Sequence, residues 1–312
     1  MNPVQIVSPR EVALGGTSPM TVRRTLPRRE RSLIGAWCFL DHYGPLAVGP
    51  DREGGMDVPP HPHTGLQTVS WLFAGEIEHR DSTGVVAPVH PGEVNLMTAG
   101  RGVSHSEVSS GPAGRLHGVQ LWVALPEAAR HGEPDFEHHV PPRSPLPGGA
   151  GEGVVFVGEL DGVGSSPVRT HTPLLGAQLD LRPGARVELR VPRGHEHGVL
   201  VDAGGVSLEG VQLGGGQLGC LDAGSDRLEL HAGTSGVRVV LLGGAPLEED
   251  IVMWWNFIGR SHEEILTFRE QWQAGHERFG QVPGYRGPVE RLDAPPPPTF
   301  RLTARSAARE GD

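Results

Sequence analysis

The chain has 312 residues and a net charge of −10 at pH 7, enough length for two domains that each bury a core. That charge disfavours nonspecific binding to nucleic acid or to an anionic membrane surface. Lysine is absent, so chemistry that needs a side-chain amine, Schiff-base formation included, is excluded.

With 46 glycines, 29 prolines and few aromatic residues, the composition points to many short strands and not to long helices. The two cysteines, Cys38 and Cys220, lie far apart in neither a metal-binding nor a redox spacing, as expected in a reducing cytoplasm. Residues 1–20 carry no apolar core of a secretory signal, and no apolar run approaches the roughly 20 residues of a membrane helix. The expectation is a soluble cytoplasmic protein.

Residues 1–20 read as irregular, and residues 21–126 as a first domain. Trp37 to Leu40 form a buried strand, and Asp41-His42 reads as a capped turn more readily than as support behind a metal. A Gly/Pro/Asp loop over 49–60 leads into His61-Pro62-His63. Residues two apart on a strand share one face, so His61 and His63 look the same way. Leu66, Val69 and Trp71 read as a buried strand, Gly75 to Arg80 as a turn and returning strand, and Pro91-Gly92 as a tight turn.

The chain then reaches Ser104-His105-Ser106-Glu107, where the same rule puts His105 and Glu107 on one face. Among 16 histidines one such pair means little. Two pairs in strand-rich sequence mean more: on neighbouring strands they bring three imidazoles and a carboxylate to one point. Those donors suit Fe(II), Ni(II), Cu(II), Mn(II) or Zn(II), and not Ca or Mg, which want oxygen alone. Arg101 reads as fixing a turn through a local carboxylate, with a substrate oxygen as the other option.

Residues 127–153, with five prolines and a Gly cluster, read as a linker in which His131, His138 and His139 are solvated. Residues 154–250 repeat the all-β style. His195-Glu196-His197 echoes the first pair, but no second pair follows and His231 is the sole further candidate, so this half is expected to be a metal-free scaffold. Residues 251–284 hold an amphipathic helix: Ser261 to Glu264 is a capping sequence, and Ile265, Phe268 and Trp272 are helically spaced. It is expected to pack on the first domain, with 285–312 a disordered tail. The fold class is all-β, two antiparallel sandwiches or barrels of jelly-roll type with one C-terminal helix.

The runs HPHTGLQTVSWLFAGEIEHRDSTG, PGEVNLMTAGRGVSHSE and HGVQLWVALP resemble the pirin family, a branch of the cupin superfamily. The likeness extends upstream through Arg23 to Pro27 and Phe39 to Pro45, and downstream to Gly244 to Leu247, Trp255 to Phe257 and Glu263 to Ile265, over roughly residues 20–280. It implies a bicupin whose second half has lost its ligands. It also implies one metal, most often iron, held by His61, His63, His105 and Glu107.

Some pirins open the flavonol quercetin with O2 and release carbon monoxide. The resemblance therefore implies a monomeric metal-dependent dioxygenase acting on a flavonol or a similar small aromatic, enol-bearing compound. Glu107 would double as the base that takes the enolic proton. Val69, Trp71, Leu96, Met97 and Trp122 are candidates for pocket lining. Gln67 departs from the family, where many members carry Glu. The resemblance also allows a second class, a metal- or redox-dependent regulator acting through a protein partner and not through nucleic acid, and more distantly a metal-dependent isomerase.

Overall fold

Strand accounts for 52% of the chain and helix for 7%, so the architecture is set by sheet pairing. The computed structural model describes residues 3–15 and 20–305. Two units emerge from the contacts: one is built mainly from Tyr43–Glu137 with the chain from Glu248 onward, the other from Arg23–His42 with His138–Leu247.

In the first unit, strands β1 (Asp57–His63), β2 (Leu66–Ala74), β3 (Ile77–Asp81), β4 (Val86–Val89), β5 (Val94–Thr98), β6 (Val103–Ser109) and β7 (Gly114–Ala124) follow one another. One sheet runs β1-β6-β3-β4, and the order β5-β2-β7 belongs to a second. All these pairings are antiparallel. The two sheets face each other, since Ser70 on β2 meets Glu107 on β6 and Trp122 on β7 meets His63 on β1.

β3 alternates strictly: Ile77, His79 and Asp81 are buried while Glu78 and Arg80, paired at 2.7 Å, lie outward. A strand whose inward row is two-thirds polar is built for a site and not for a core. The apolar core of this unit lies to one side of it, around Tyr43, Met56, Leu72, Ile77, Val89 and Leu116.

The second unit carries β8 (Gly151–Leu160), β9 (Leu174–Leu181), β10 (Arg186–Arg190), β11 (Glu196–Leu208), β12 (Leu218–Leu221) and β13 (Arg227–Gly244). Its sheet order includes β12-β11-β13-β9-β8. The inward residues are aliphatic, among them Val155, Leu179, Leu189, Val199, Val201 and Leu241.

Helix α1 (His262–Gln273) belongs to the first unit. Ser261 caps it by accepting from the Glu264 backbone N–H at 3.1 Å, and Ile265, Phe268 and Trp272 bury against Phe257 and Phe279. None of the helices is long and apolar enough to cross a membrane, among the described residues. Two antiparallel β units with one C-terminal helix are therefore the observed fold, as the patterning indicates.

Four details depart from the sequence reading. Residues 3–15 are not wholly irregular: Gln5–Val7 and Arg10–Ala13 are short strands, while residues 1–2 and 16–19 lie outside the described residues. The expected first domain is divided, because residues 23–42 sit in the second unit. There Trp37 donates its indole N–H to the carbonyls of Leu175 and Gly243, and Arg31 pairs with Glu196 at 3.0 Å.

The expected linker contains the strand Asp135–His139, placed beside β5. Finally, the tail is described through residue 305, where it bonds to the first unit, and 306–312 lie outside the described residues. Leu292 donates to the Pro60 carbonyl, Trp272 to the Leu292 carbonyl, and Arg301 pairs with Glu263, so backbone bonds and an aromatic platform replace the missing apolar content.

Candidate metal centre

Register decides what this unit can do. β6 pairs with β1 so that His105 lies opposite His61 and Val103 opposite His63. On its other side β6 pairs with β3, with His105 opposite Asp81 and Glu107 opposite His79. Directly opposed residues share a face. Six polar side chains, His61, His63, His79, Asp81, His105 and Glu107, therefore crowd the inner surface of one sheet. The β1–β6 ladder slips between His105 and Glu107, next to Pro59 and Pro60. Proline has no N–H to give the ladder, and bulges form where pairing lapses.

Two glycines hold the approach. Gly65 follows the first histidine pair at φ +66°, and its N–H donates to the carbonyl of Gly100, itself at φ +51°. A Cβ at Gly100 would sit 2.2 Å from the Gly132 carbonyl oxygen, so the turn into β6 admits no side chain.

His61 Nδ1 is 2.9 Å from the Pro59 carbonyl and His63 Nδ1 is 3.1 Å from the Asn256 carbonyl. A carbonyl oxygen only accepts, so both Nδ1 atoms carry hydrogen and both Nε2 atoms present lone pairs. His63 Nε2 is 3.1 Å from His105 Nε2. His61, His63 and His105 each offer a ring nitrogen within 4.8 Å of the others. Nitrogens 3.1 Å apart match neighbouring corners of a shell with bonds of about 2.1 Å.

All three rings are buried, at 6%, 1% and 1% exposure. Burial lowers the His61 pKa to about 4 and holds His63 and His105 well below the ordinary imidazole value, with mutual repulsion adding to the effect. Neutral imidazoles with free lone pairs are what a metal requires.

Glu107 is buried beside them. Burial raises its pKa, while His79 and hydrogen bonds with Ser70 and Gln120 pull the other way. Ser70 Oγ lies 2.9 Å from Glu107 Oε1 and 2.9 Å from Gln120 Oε1. The geometry groups Glu107 with His105 and His79 within 4.8 Å, and not directly with His61 and His63. The four residues singled out in the sequence are thus split between two triads that share His105, and His79 completes the second.

Sequence reasoning missed His79 and Asp81. The signal was present, because His79-Arg80-Asp81 is a third pair spaced by two, read over as part of a returning strand. Among the proposed lining residues, cross-strand partnership with Thr68 puts Met97 and Trp122 on the side of Ser70, and Trp122 meets the His63 ring edge-on at 5.0 Å. Val69, Trp71 and Leu96 alternate away from it. So does Gln67, which donates to Thr98 Oγ1 at 2.8 Å, so its exchange for Glu leaves this donor set untouched.

Arg101 pairs with Glu133 at the surface. Asp41 and His42 lie within the strand Trp37–Val48 and not in a turn, bonded to Arg24 and Asp202. A polar cleft of about 580 Å³ lined by Asp57, Glu78, Arg80 and Tyr285 lies on the outer face of the sheet, where Glu78 and Arg80 alternate with His79.

In the second unit Glu196 turns to Arg31 and the Gly35 N–H. His195 and His197, with ring centroids 6.3 Å apart, gather no third donor among the described residues. His231 sits opposite Arg186 on β10 and Ser207 on β11.

A first β unit with imidazoles between its sheets, followed by a second with an aliphatic interior, defines a bicupin. Residues 19–123 match the Pirin family and residues 176–280 the Pirin C-terminal cupin domain. The chain is 43% identical over 298 residues to a Pseudomonas aeruginosa protein named as a candidate quercetin 2,3-dioxygenase, covering 95% of this chain and 91% of that one. It is 37% identical over 264 residues to a pirin-like protein of Caulobacter vibrioides, covering 83% and 90%. The crystal structure of a quercetin 2,3-dioxygenase from Acinetobacter baumannii matches with a TM-score of 0.89 at 38% identity, over 96% of this chain and 97% of that one. The chain belongs to the pirin family.

Proposed function

We propose that this protein is a metal-dependent dioxygenase that opens a flavonol of the quercetin type with O2. The observation that carries the reading is the approach of His63 Nε2 to His105 Nε2 with the Nδ1 atoms of His61 and His63 tied to carbonyls. Ring nitrogens this close leave one cation within reach of both. His61, His63 and His105 would hold the ion through Nε2 and Glu107 through its carboxylate. Iron(II) is the foremost candidate, and Ni, Cu, Mn or Zn suit the same donors. The names carried by the Pseudomonas and Acinetobacter relatives support the substrate class.

Such an ion supplies Lewis acidity and, for iron, one-electron chemistry with O2. The chain's own residues do the rest. Glu107, its basicity raised by burial, takes the proton of the substrate's enolic hydroxyl while Ser70 steadies its Oε1. Trp122, edge-on to His63, offers an aromatic wall for a flat substrate. The second unit, with no third donor beside His195 and His197 among the described residues, serves as scaffold.

The test is metal analysis of the purified chain together with oxygen uptake and carbon monoxide release on quercetin. One tightly held metal per chain and one O2 consumed per flavonol opened are expected. A metal-loaded chain that turns over no flavonol would displace this reading in favour of a regulator acting through a protein partner.

A further inference from the structure

His79 and Asp81 lie outside the three-imidazole set, yet both are buried, at 3% and 0% exposure, and both point into it. Asp81 Oδ1 accepts from the Thr83 N–H at 2.8 Å, the Thr83 hydroxyl at 2.6 Å and the Val85 N–H at 3.2 Å. Three donors on one oxygen fix it as a carboxylate acceptor and leave Oδ2 free to turn inward. Oδ2 meets His79 Nε2 at 3.1 Å. On the far side of the same ring, His79 Nδ1 meets His105 Nδ1 at 3.3 Å. Phe136 lies across the His79 ring at 4.8 Å and 30°, holding its plane.

We infer that Asp81 and His79 form a relay that sets the tautomer of His105 and aims its Nε2 at the metal position. The logic runs along the chain of contacts. The carboxylate takes the hydrogen of His79 Nε2, so a neutral His79 has its lone pair on Nδ1. That lone pair takes the hydrogen of His105 Nδ1, so His105 keeps its lone pair on Nε2, facing His63. His61 and His63 have carbonyls for the same purpose, Pro59 and Asn256. Among the described residues His105 Nδ1 meets no such carbonyl but His79 Nδ1, and the relay does that work. His79 and Asp81 are positioning residues, and the inference rests on the metal reading above for its consequence but not for its structure.

Two measurements test it. In the metal-free wild type, long-range 1H–15N NMR of labelled histidine should show His105 protonated at Nδ1 and His79 at Nε2, assigned with His105→Gln and His79→Asn. A His105 protonated at Nε2, or a His79 protonated at both nitrogens, would overturn the inference. In the second, zinc(II) affinity should fall about 10–100-fold in His79→Leu and Asp81→Asn. His79→Asn, whose amide oxygen can accept from His105, should stay within a few-fold of wild type.

Cobalt(II) spectra should keep the wild-type band pattern in all three variants. Unchanged zinc affinity in His79→Leu and Asp81→Asn contradicts the relay, and so does a cobalt spectrum that loses a ligand in His79→Leu, which would make His79 a ligand itself. A wild-type chain that takes up neither ion overturns the metal reading and leaves the tautomer, measured without metal, to decide this inference.

Discussion

His63 and His105 turn their Nε2 atoms toward each other at 3.1 Å, although His63 already spends its Nδ1 hydrogen on the Asn256 carbonyl 193 residues away in the chain. With the relay through His79 holding the His105 hydrogen on Nδ1, the two Nε2 atoms are facing acceptors, and a buried acceptor that loses water and gains no donor is costly. On that tautomer a cation would be bound by both nitrogens.

Acid stability of the metal-free chain follows from the same burial. His61 titrates near 4 in the folded protein against an ordinary 6.5, and His63 and His105 lie well below 6.5. The unfolded chain therefore binds more protons, and folding loses stability as pH falls from about 6.5 toward 4. At 1.36 kcal/mol per pKa unit, His61 accounts for about 3 kcal/mol across that window. Glu107, raised by burial, acts in the opposite sense, favouring the fold below its ordinary range and losing that contribution as pH rises. Urea melts between pH 7 and 5 should show a falling midpoint, with a shallower slope in His61→Gln; a midpoint independent of pH would count against the buried, neutral cluster.

The turn into β6 makes a second prediction. Gly100→Ala places a methyl group against the Gly132 carbonyl in a backbone conformation that L residues rarely adopt. A loss of at least about 1 kcal/mol is expected, with metal uptake reduced alongside stability because His105 follows five residues later. Thermal melts and metal titration on the same sample check it, and a variant as stable as wild type would show that the turn relaxes.

Helix α1 closes one side of the unit. Trp272 is 2% exposed, meets Phe279 edge-to-face and donates to the Leu292 carbonyl. Trp272→Ala should cost about 3–5 kcal/mol, whereas Ser261→Ala, removing only the cap, should cost about 1 kcal/mol. Equal costs for the two would mean that the helix is held by its ends and not by its buried face.

Much of the candidate site was legible because strand periodicity is local: the shared faces of His61 with His63 and of His105 with Glu107 follow from spacing by two. Spacing alone does not say which strands adjoin. His79 and Asp81 obey the same rule, but their role depends on β6 lying between β1 and β3. The slip at Pro59 and Pro60, which separates Glu107 from His61, is likewise a matter of pairing. The placement of residues 23–42 was hidden for a related reason, since Trp37 and Arg31 find partners more than 130 residues away. The contacts of the tail rest on single backbone bonds such as Leu292 to Pro60, which leave no mark in composition.

The central claim is that Glu107 serves a metal-dependent opening of flavonols as both ligand and base. Turnover of quercetin per bound iron, compared between wild type and Glu107→Gln, tests it most directly. The amide keeps an oxygen donor and loses the charge and the basicity, so iron should be held more weakly. Turnover per iron still bound should fall by about 10²–10⁴, the usual contribution of a general base. Equal turnover per bound iron in the two proteins would remove Glu107 from the chemistry, and a wild type that binds iron but opens no flavonol would contradict the account as a whole.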